Sequence, residues 1–321
     1  MIKQNKRIWL TWEYQIRNRS LSNILDAELY EILEDDRSAI GRYLACAWRT
    51  ISIISSEKPS MVFHQNPSIF LGLILLLLRP IFRFELVTDT HNAGLYPAEG
   101  KYKSLNWLGH LVARRTDLLI VHNELVAEHC EALGLNPSVL PDPLPELGNV
   151  LDEDVDPNKV VFVCRWSADE PYEQVISAYS LLKKEFPSVE LYITGKPPRK
   201  ITERKLKEGI NLTGFLEENS YTELLKTSAV MVVLTDRTNS LNCGGYEALS
   251  LAKPCVLYSA EILRMFFGSS FYYTSLASKD IASAIGRALV EQSQATKKMK
   301  RAREEYLVSY RNRIEQLLTQ F

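Results

Sequence analysis

The chain has few cysteines, and their arrangement excludes two classes of protein. Its 321 residues include only five cysteines, which lie far apart and form no CxxC pair: Cys46, Cys130, Cys164, Cys243 and Cys255. Scattered cysteines in an odd number argue against a disulfide framework, and their separation argues against a zinc site. We therefore expect reduced thiols, as in a cytoplasmic protein.

Two further features are missing, an excess of charge of one sign and a long apolar segment. The 38 basic side chains balance the 39 acidic ones, which argues against general nucleic-acid binding. The first residues, MIKQNKRIWLTW, lack the apolar core of a signal peptide. The apolar run at residues 69–78 is far shorter than the roughly 20 residues that a membrane-spanning helix needs.

The run at residues 69–78 allows two interpretations. A buried helix is the simpler one. The alternative is a shallow, peripheral membrane contact, because Arg79 and Arg83 follow the run directly and could meet lipid phosphates.

Strand-like and helix-like segments alternate along the whole chain, which predicts an α/β fold. Strands are expected near residues 6–12, 28–33, 61–66 and 83–92, with a helix over 38–56 and a loop over 12–20. An acidic stretch with Gly and Pro at 146–158 is a linker candidate, and the alternation restarts after it. We predict one doubly wound domain over 1–150, a second over 151–295, and a helical tail packed on the body over 296–321.

The segment NSLNCGGYEALSLAKPCVLY at 239–258 has the order loop, helix, strand, after an apolar run that predicts another strand. Paired glycines before a helix, Gly244 and Gly245, let an anionic ligand approach the backbone amides. Glu247 could accept two ribose hydroxyls, with Asn242 and Tyr246 beside it, so the segment suits a nucleotide diphosphate. The alternative is that the glycines only make a turn and Glu247 only stabilises the helix dipole.

Four more motifs follow one another in a fixed order: HQNPSIF at 64–70, DTHNAG at 89–94, CRWSADEPYEQVISA at 164–178 and YITGKPP at 192–198. Together with 239–258 they resemble the chitobiosyldiphosphodolichol β-mannosyltransferase family and related bacterial glycosyltransferases. The resemblance covers most of residues 60–260. It implies the GT-B fold, in which two Rossmann-like domains face a cleft.

The resemblance also implies the donor chemistry. A sugar linked to UDP or GDP would bind with its diphosphate near Arg165 and Lys196, and no further cofactor or metal is expected, because these cations can stabilise the leaving group. A surface ion pair is the alternative role for Arg165. Many retaining enzymes of this type have a glutamate where this chain has Asn239, which favours an inverting reaction.

Inversion requires a base for the acceptor hydroxyl. The candidates follow first-domain strands: His91, which Asp89 could orient, and Glu13. His91 titrates near neutrality when unperturbed, although it could instead only hold its loop together.

The acceptor side would use the predicted loop at 12–20. There Arg17 or Arg19 could hold a phosphate, and Trp12 or Tyr14 could stack on a sugar. A solvated basic loop is the alternative.

These features predict a metal-independent hexosyltransferase that acts in cell-surface polysaccharide or exopolysaccharide synthesis. Its acceptor would be a glycan or a polyprenyl-diphosphate-linked sugar, at the inner face of the cytoplasmic membrane. Two alternatives stay open, a non-hydrolysing sugar-nucleotide epimerase and a non-catalytic nucleotide-sugar-binding protein.

Overall fold

The computed structural model describes residues 6–34, 36, 38–66, 68–96, 100–150, 154–238 and 240–320. Asn239, whose identity entered the mechanistic expectation above, lies outside these residues. The chain forms two compact units. Unit 1 comprises residues 1–143 and 310–321, and unit 2 comprises residues 144–309.

Unit 1 is built on a six-stranded sheet in which every strand pairing is parallel. The strand order is β2-β1-β3-β4-β5-β6. The strands are β1 (Arg7–Thr11), β2 (Glu28–Glu31), β3 (Met61–Asn66), β4 (Glu85–Thr90), β5 (Leu118–Val121) and β6 (Pro137–Val139). Buried side chains dominate β1, β4 and β5, as expected where helices cover both faces of a parallel sheet.

Helices connect these strands. They are α1 (Ile16–Ile24), α2 (Ala39–Glu57), α3 (Ile69–Phe82), α4 (Asn92–Leu95), α5 (Lys103–Arg115) and α6 (Glu124–Ala132). Two of them begin at polar caps: Ser38 accepts a hydrogen bond from the Gly41 amide of α2, and Asn123 accepts one from the Val126 amide of α6. Such caps satisfy N–H groups that have no partner within the helix.

Unit 2 repeats this plan with a second parallel sheet, in the order β12-β11-β10-β7-β8-β9. Its strands are β7 (Lys159–Phe162), β8 (Glu190–Thr194), β9 (Ile210–Gly214), β10 (Val230–Val233), β11 (Cys255–Tyr258) and β12 (Tyr272–Thr274). Its helices are α7 (Tyr172–Glu185), α8 (Arg199–Thr202), α9 (Glu218–Lys226), α10 (Cys243–Ser250), α11 (Glu261–Phe267), α12 (Ser278–Val290) and α13 (Gln292–Leu318).

Both sheets reverse their winding at one point. In unit 1 the chain leaves β1 towards β2 and leaves the neighbouring β3 towards β4. In unit 2 it leaves β7 towards β8 and leaves the neighbouring β10 towards β11. A crevice opens outside the carboxyl ends of two strands whose connections diverge in this way, and such crevices bind ligands. The prediction of two doubly wound α/β domains is confirmed.

The segment after β1 differs from the expected loop over residues 12–20. Helix α1 begins at Ile16. Trp12 is buried, and its indole Nε1 donates to Thr50 Oγ1 over 3.1 Å, so it has no face to offer a sugar. The expectation of a loop was therefore wrong, and Arg17, expected to hold a phosphate or to face solvent, is buried by partners far along the chain.

The partner of Arg17 is Asp89, at the end of β4. The guanidinium donates to both carboxylate oxygens, over 2.8 and 2.9 Å, and also to Asp142 and to the Leu140 carbonyl. Burial raises the pKa of Asp89, but the charge and hydrogen bonds of Arg17, together with the contact to His91, outweigh burial and lower this pKa well below its usual range. The pair thereby joins α1 to β4 and to the segment after β6.

The final part of α13, from Tyr310 onward, belongs to unit 1. Tyr310 and Leu317 are buried. Arg313 donates to Glu124 Oε1 over 2.6 Å and to the Val139 carbonyl over 3.3 Å. The chain therefore returns to the first sheet after it has completed the second.

Across the part of the chain that the structure describes, no helix combines the length and apolar character that crossing a membrane requires.

We predict that Asp89→Asn destabilises the protein by about 3–5 kcal/mol, because it leaves the buried charge of Arg17 without its main partner. Asp142→Asn is the matched control and should cost less, since the Asp142 side chain is 37% exposed. Denaturant unfolding at neutral pH measures both changes. Equal losses in the two variants would contradict the assignment of Asp89 as the main partner.

The same pair predicts a pH dependence. The pKa of Asp89 is lower in the folded than in the unfolded chain, so its stabilisation is complete above the ordinary value of 3.8 and declines as the pH falls below it. The difference in unfolding free energy between the wild type and Asp89→Asn should therefore shrink on acidification, which unfolding curves at successive pH values would show.

Candidate functional site

The reversal point of the second sheet lies between β7 and β10, and the loops that leave these strands meet there. The loop after β7 contains Arg165, Asp169 and Glu170, and the segment after β10 leads through Thr235 into α10. The loop after β8 contains Lys196, so it reaches the same edge of the sheet. Parallel strands bring these three exits together by topology alone.

Glu170 holds the loop after β7 in shape. Its Oε2 accepts hydrogen bonds from the backbone amides of Arg165 and Ser167, each over 2.9 Å, and from the Ser167 hydroxyl. Within the loop Trp166 adopts a left-handed backbone conformation with φ 64°, which few side chains adopt. Its indole donates to the Thr194 carbonyl at the end of β8 over 2.8 Å.

Gly195 fixes the approach of the β8 exit to the same loop. Its φ is +79°, and a Cβ added there would lie 2.3 Å from the Cys164 carbonyl oxygen. Only glycine fits this position. The next residue, Lys196, is therefore held beside the loop that contains Arg165.

Asp169 connects the loop after β7 to the loop after β10. Its carboxylate accepts from Thr235 Oγ1 over 2.8 Å and pairs with Arg237 Nε at 3.1 Å, and its carbonyl accepts from the Asp236 amide. The hydrogen bond from Thr235, aided by the charge of Arg237, lowers the pKa of Asp169. The two strand exits that border the reversal point are thus tied to each other.

Both candidate cations for the diphosphate, Arg165 and Lys196, are exposed at this edge. Neither side chain forms an ion pair with any residue that the structure describes. A surface ion pair within the described chain therefore does not account for Arg165, and both charges are accessible to an anion.

The two glycines lie inside α10 rather than in a loop before it. Helix α10 begins at Cys243 after the N-cap residue Asn242, so Gly244 and Gly245 form its first turn. A Cβ on Gly244 would lie 2.7 Å from Val233 Cγ2, and one on Gly245 would lie 2.6 Å from Phe267 Cζ. The glycines let α10 pack against β10 and α11, and this packing requires them with or without a ligand.

The amino end of α10 nevertheless meets the requirements for an anion site. The Asn242 side chain makes no capping hydrogen bond, and its Nδ2 is buried without a partner among the described residues. A helix of eight residues carries positive potential at this end. The amide nitrogen and the helix end both offer donors at the reversal point.

Glu247 lies one turn into α10, since the first turn contains no acidic residue. It is half-buried, and its Oε2 accepts a hydrogen bond from the Tyr221 hydroxyl of α9 over 2.7 Å. Burial raises the pKa of Glu247, and the Tyr221 hydrogen bond opposes this rise only in part. Glu247 therefore lies beyond the first turn, and the first turn is where an acid stabilises the helix dipole most.

Tyr246 points into an aromatic cluster. It is buried, with its ring centroid 5.3 Å from that of Phe266 and 5.5 Å from that of Phe267. Tyr306 of α13 completes the cluster at 6.4 Å. Its role in the structure is packing beneath α10, and it presents no exposed ring to a ligand.

The corresponding edge of the first sheet holds a buried network of side-chain amides. Gln65, at the end of β3, donates from Nε2 to Gln15 Oε1 over 2.7 Å and contacts His91 Nε2 at 3.0 Å. Its Oε1 accepts from Asn18 Nδ2 over 3.0 Å. Asn18 also donates to Thr11 at the end of β1, so the network crosses the reversal point between β1 and β3.

His91 lies partly exposed at the end of β4. Its Nε2 is 3.6 Å from Asp89 Oδ2, too far for a strong hydrogen bond, while both Asp89 oxygens bind Arg17. The nearest polar contact of His91 is Gln65. Its ring also stacks on His122 at 4.9 Å, and burial followed by the charge of His91 lowers the pKa of His122 to about 4.

The other residues proposed for the acceptor side divide into two groups. Glu13 and Tyr14 are exposed beyond β1. Arg19 is engaged, because its guanidinium binds Glu31 and lies 4.5 Å from the Tyr14 ring centroid. Arg17 is buried against Asp89, and a phosphate would have to displace that partner.

Sequence reasoning missed the residues that position the loops, namely Asp169, Glu170, Gln65 and Asn18. A signal existed for the acidic pair, because Asp169 and Glu170 follow a strand and precede a helix.

Among the described residues, no group of three or more His, Cys, Asp or Glu side chains is arranged to hold a metal ion.

Similar structures share the fold at low sequence identity. Anabaena HepE in complex with UDP and glucose is 13% identical, with a TM-score of 0.71 over 99% of this chain and 100% of that one. Sucrose-phosphate synthase from Thermosynechococcus elongatus is 12% identical, with a TM-score of 0.70 over 91% and 82%. A candidate UDP-N-acetylglucosamine 2-epimerase from Listeria monocytogenes is 13% identical, with a TM-score of 0.59 over 93% and 87%.

No curated protein matches this chain in sequence. The more specific resemblance to the chitobiosyldiphosphodolichol β-mannosyltransferases stays a prediction. The family model for glycosyl transferases group 1 matches residues 145–305, a segment that contains the whole second sheet and its loops. With this match and the two doubly wound units, the chain belongs to the group 1 glycosyltransferase family.

Proposed function

We propose that this protein transfers a hexose from a nucleotide-diphosphate sugar to a glycan or polyprenyl-diphosphate-linked acceptor. The observation that carries the proposal is the carboxyl edge of the second sheet. There two accessible cations, Arg165 and Lys196, accompany the amino end of α10 at the point where the sheet reverses. Family membership supports sugar transfer as the reaction.

The donor is UDP- or GDP-linked in this proposal, and UDP is the first candidate. HepE from Anabaena, which shares the fold, has been crystallised with UDP and with UDP-glucose. The diphosphate would lie against Arg165, Lys196 and the amides of α10, and the ribose hydroxyls against Glu247. A ribose bound there would compete with Tyr221 for the Glu247 carboxylate.

The leaving nucleotide develops negative charge as the bond to the sugar breaks. Arg165 offers paired N–H donors, Lys196 a point charge, and α10 the positive end of its dipole. These groups act where the charge forms, which is the most effective place for electrostatic stabilisation. The proposal therefore assigns leaving-group stabilisation to the protein itself, with no further cofactor.

The acceptor is assigned to the edge of the first sheet, with His91 or Glu13 as the base and inversion at the anomeric carbon. The Gln65 amide contacts His91 Nε2, so this nitrogen must exchange that contact for the acceptor hydroxyl before it can act as the base. Glu13 is exposed at the end of β1 and needs no such exchange. The biological setting would be cell-surface polysaccharide or exopolysaccharide synthesis at the inner face of the cytoplasmic membrane.

We expect Glu247→Ala to weaken UDP binding by about 10- to 100-fold, because a hydrogen bond to a charged group contributes about 1.5–3 kcal/mol. Titration calorimetry with UDP measures the affinity. Glu218→Ala, an exposed acid on α9, is the matched control and should bind as the wild type does. Tyr221→Phe should retain or improve binding, since it frees the carboxylate. Unchanged affinity in Glu247→Ala would reject the ribose assignment.

We expect turnover to persist in excess chelator, because Arg165 and Lys196 supply the positive charge at the leaving group. Product formation with and without EDTA tests this, and Arg165→Ala should lower turnover in both conditions. Activity that disappears with EDTA and returns with Mg²⁺ or Mn²⁺ would overturn the leaving-group assignment. Incubation with donor alone is the control that exposes an epimerase.

We expect loss of the base to reduce turnover by about 10²- to 10⁴-fold while UDP affinity stays unchanged, since general-base help enters only in the transition state. His91→Ala and Glu13→Ala identify the residue, and His129→Ala on α6 is the control histidine. NMR of the product gives its anomeric configuration. A product that retains the donor configuration, or two variants with normal turnover, would contradict the assignment.

A further inference from the structure

Three neighbouring helices of unit 1 present an unusually apolar outer surface. Helix α3 packs between α2 and α5. Gly72 allows the close approach of α3 to α5, because a Cβ there would lie 2.7 Å from Val112 Cγ1. The three helices therefore form a continuous layer on the sheet.

Apolar side chains recur on the outer side of this layer. On α2, Ile40, Leu44 and Trp48 follow one another at intervals of one turn and are 76%, 67% and 72% exposed. On α3, Leu77 and Ile81 are 72% and 70% exposed. This layer contributes ten of the large apolar side chains that are exposed in the described structure, the other five being Tyr43, Ile51, Phe70, Tyr102 and Trp107. We call these ten residues the apolar face.

Other side chains of the same helices already form the hydrophobic core of unit 1. The residues of the apolar face are therefore not needed for that core. Leu71, Leu75 and Leu78 of α3 are buried against the sheet, as the interpretation of 69–78 as a core helix requires. Leu77 and Ile81 lie on an exposed flank of the same helix. The run therefore serves the core with one side and leaves the other exposed.

The charge of these helices is mainly positive, although the whole chain has 38 basic and 39 acidic side chains. Together α2, α3 and α5 contain six basic residues and a single acidic one, Glu57. Glu57 is the last residue of α2 and pairs with Lys6. Arg83 follows α3 and adds a further exposed positive charge.

Some of these charges are accessible. Arg49 pairs with Glu34, and Arg79 pairs with Asp117. Arg83, Lys103 and Arg115 are exposed and form no ion pair with a described residue. They are therefore available for anions outside the protein.

A groove of about 770 Å³ joins the apolar and basic features between α3 and α5. Its lining includes Leu73, Leu77 and Leu111 and also three arginines, Arg79, Arg83 and Arg115. Apolar walls beside arginines match a lipid, whose acyl chain is apolar and whose headgroup phosphate is anionic.

We propose that the apolar face docks the protein on an anionic lipid surface. The leucines and isoleucines enter the acyl boundary, Trp48 and Trp107 lie at the headgroup level that tryptophan prefers, and Arg83, Lys103 and Arg115 meet lipid phosphates. The inference extends the lipid-linked acceptor of the proposed function by naming the surface that meets the membrane. Lipid binding is measured without donor or acceptor, so its outcome is separate from that of the transfer reaction.

The test is co-sedimentation of the full chain with vesicles of phosphatidylcholine containing phosphatidylglycerol, and with vesicles of phosphatidylcholine alone. We expect binding to the anionic vesicles only, weakened by salt. Trp48→Ser/Leu77→Ser and Arg83→Glu/Arg115→Glu should each weaken it by about tenfold or more, since each basic residue contributes about one decade or less and each buried apolar side chain a similar factor.

Matched controls come from unit 2. Val290 is 75% exposed on α12, and Lys298 is exposed on α13, so Val290→Ser and Lys298→Glu change the same residue types outside the apolar face. Both should bind vesicles as the wild type does. Thermal unfolding of every variant should match the wild type, because all the substituted side chains are exposed.

Three results would overturn the proposal. One is that anionic vesicles do not bind the wild type. Another is that the two double variants bind as tightly as the controls, which would place lipid binding elsewhere. The third is a dimer in sedimentation velocity that Trp48→Ser/Leu77→Ser dissociates, together with no vesicle binding, which would assign the apolar face to a second copy of the chain.

Discussion

The buried pair of Arg17 and Asp89 is the constraint on which the first unit depends. Two charges are removed from water, and each is tolerated only because the other is in contact with it. Their pairing requires α1, β4 and the segment after β6 to meet at one point. Gln65, His91 and the reversal between β1 and β3 lie at the same edge. The candidate acceptor edge is thus held by a pair whose members are engaged with each other.

In the second unit, the loops at the sheet edge are held by carboxylates that accept hydrogen bonds from backbone amides and hydroxyl groups. Glu170 gathers the amides of the loop after β7, and Asp169 ties that loop to Thr235 after β10. Because acidic side chains occupy the supporting positions, the basic ones, Arg165 and Lys196, stay accessible at the surface. An edge arranged in this way can attract a diphosphate while keeping its loops in place before the ligand arrives, which lowers the cost of binding.

One helix of the first unit, α3, contacts the hydrophobic core on one side and is exposed on another. The inner residues of α3 fill the core, and its outer residues belong to the apolar face. The few charges on α2, α3 and α5 are almost all positive, although the chain as a whole is balanced. The net charge of the whole chain does not show this local excess of positive charge. The excess becomes visible only when the three helices are known to be neighbours.

The sequence by itself determined the two doubly wound sheets and the strand ends that carry polar residues, because hydrophobic periodicity and glycine are local signals. It did not place α1, since Arg17 and Asp89 are 72 positions apart and only the folded chain joins them. It also put Gly244 and Gly245 in a loop, whereas the close packing of α10 on Val233 and Phe267 decides their helical position. The sequence also placed Tyr246 beside the ligand, whereas its ring packs against Phe266 and Phe267. Which residues of a motif face a ligand and which face the core depends on contacts between distant segments, and only the tertiary structure supplies these.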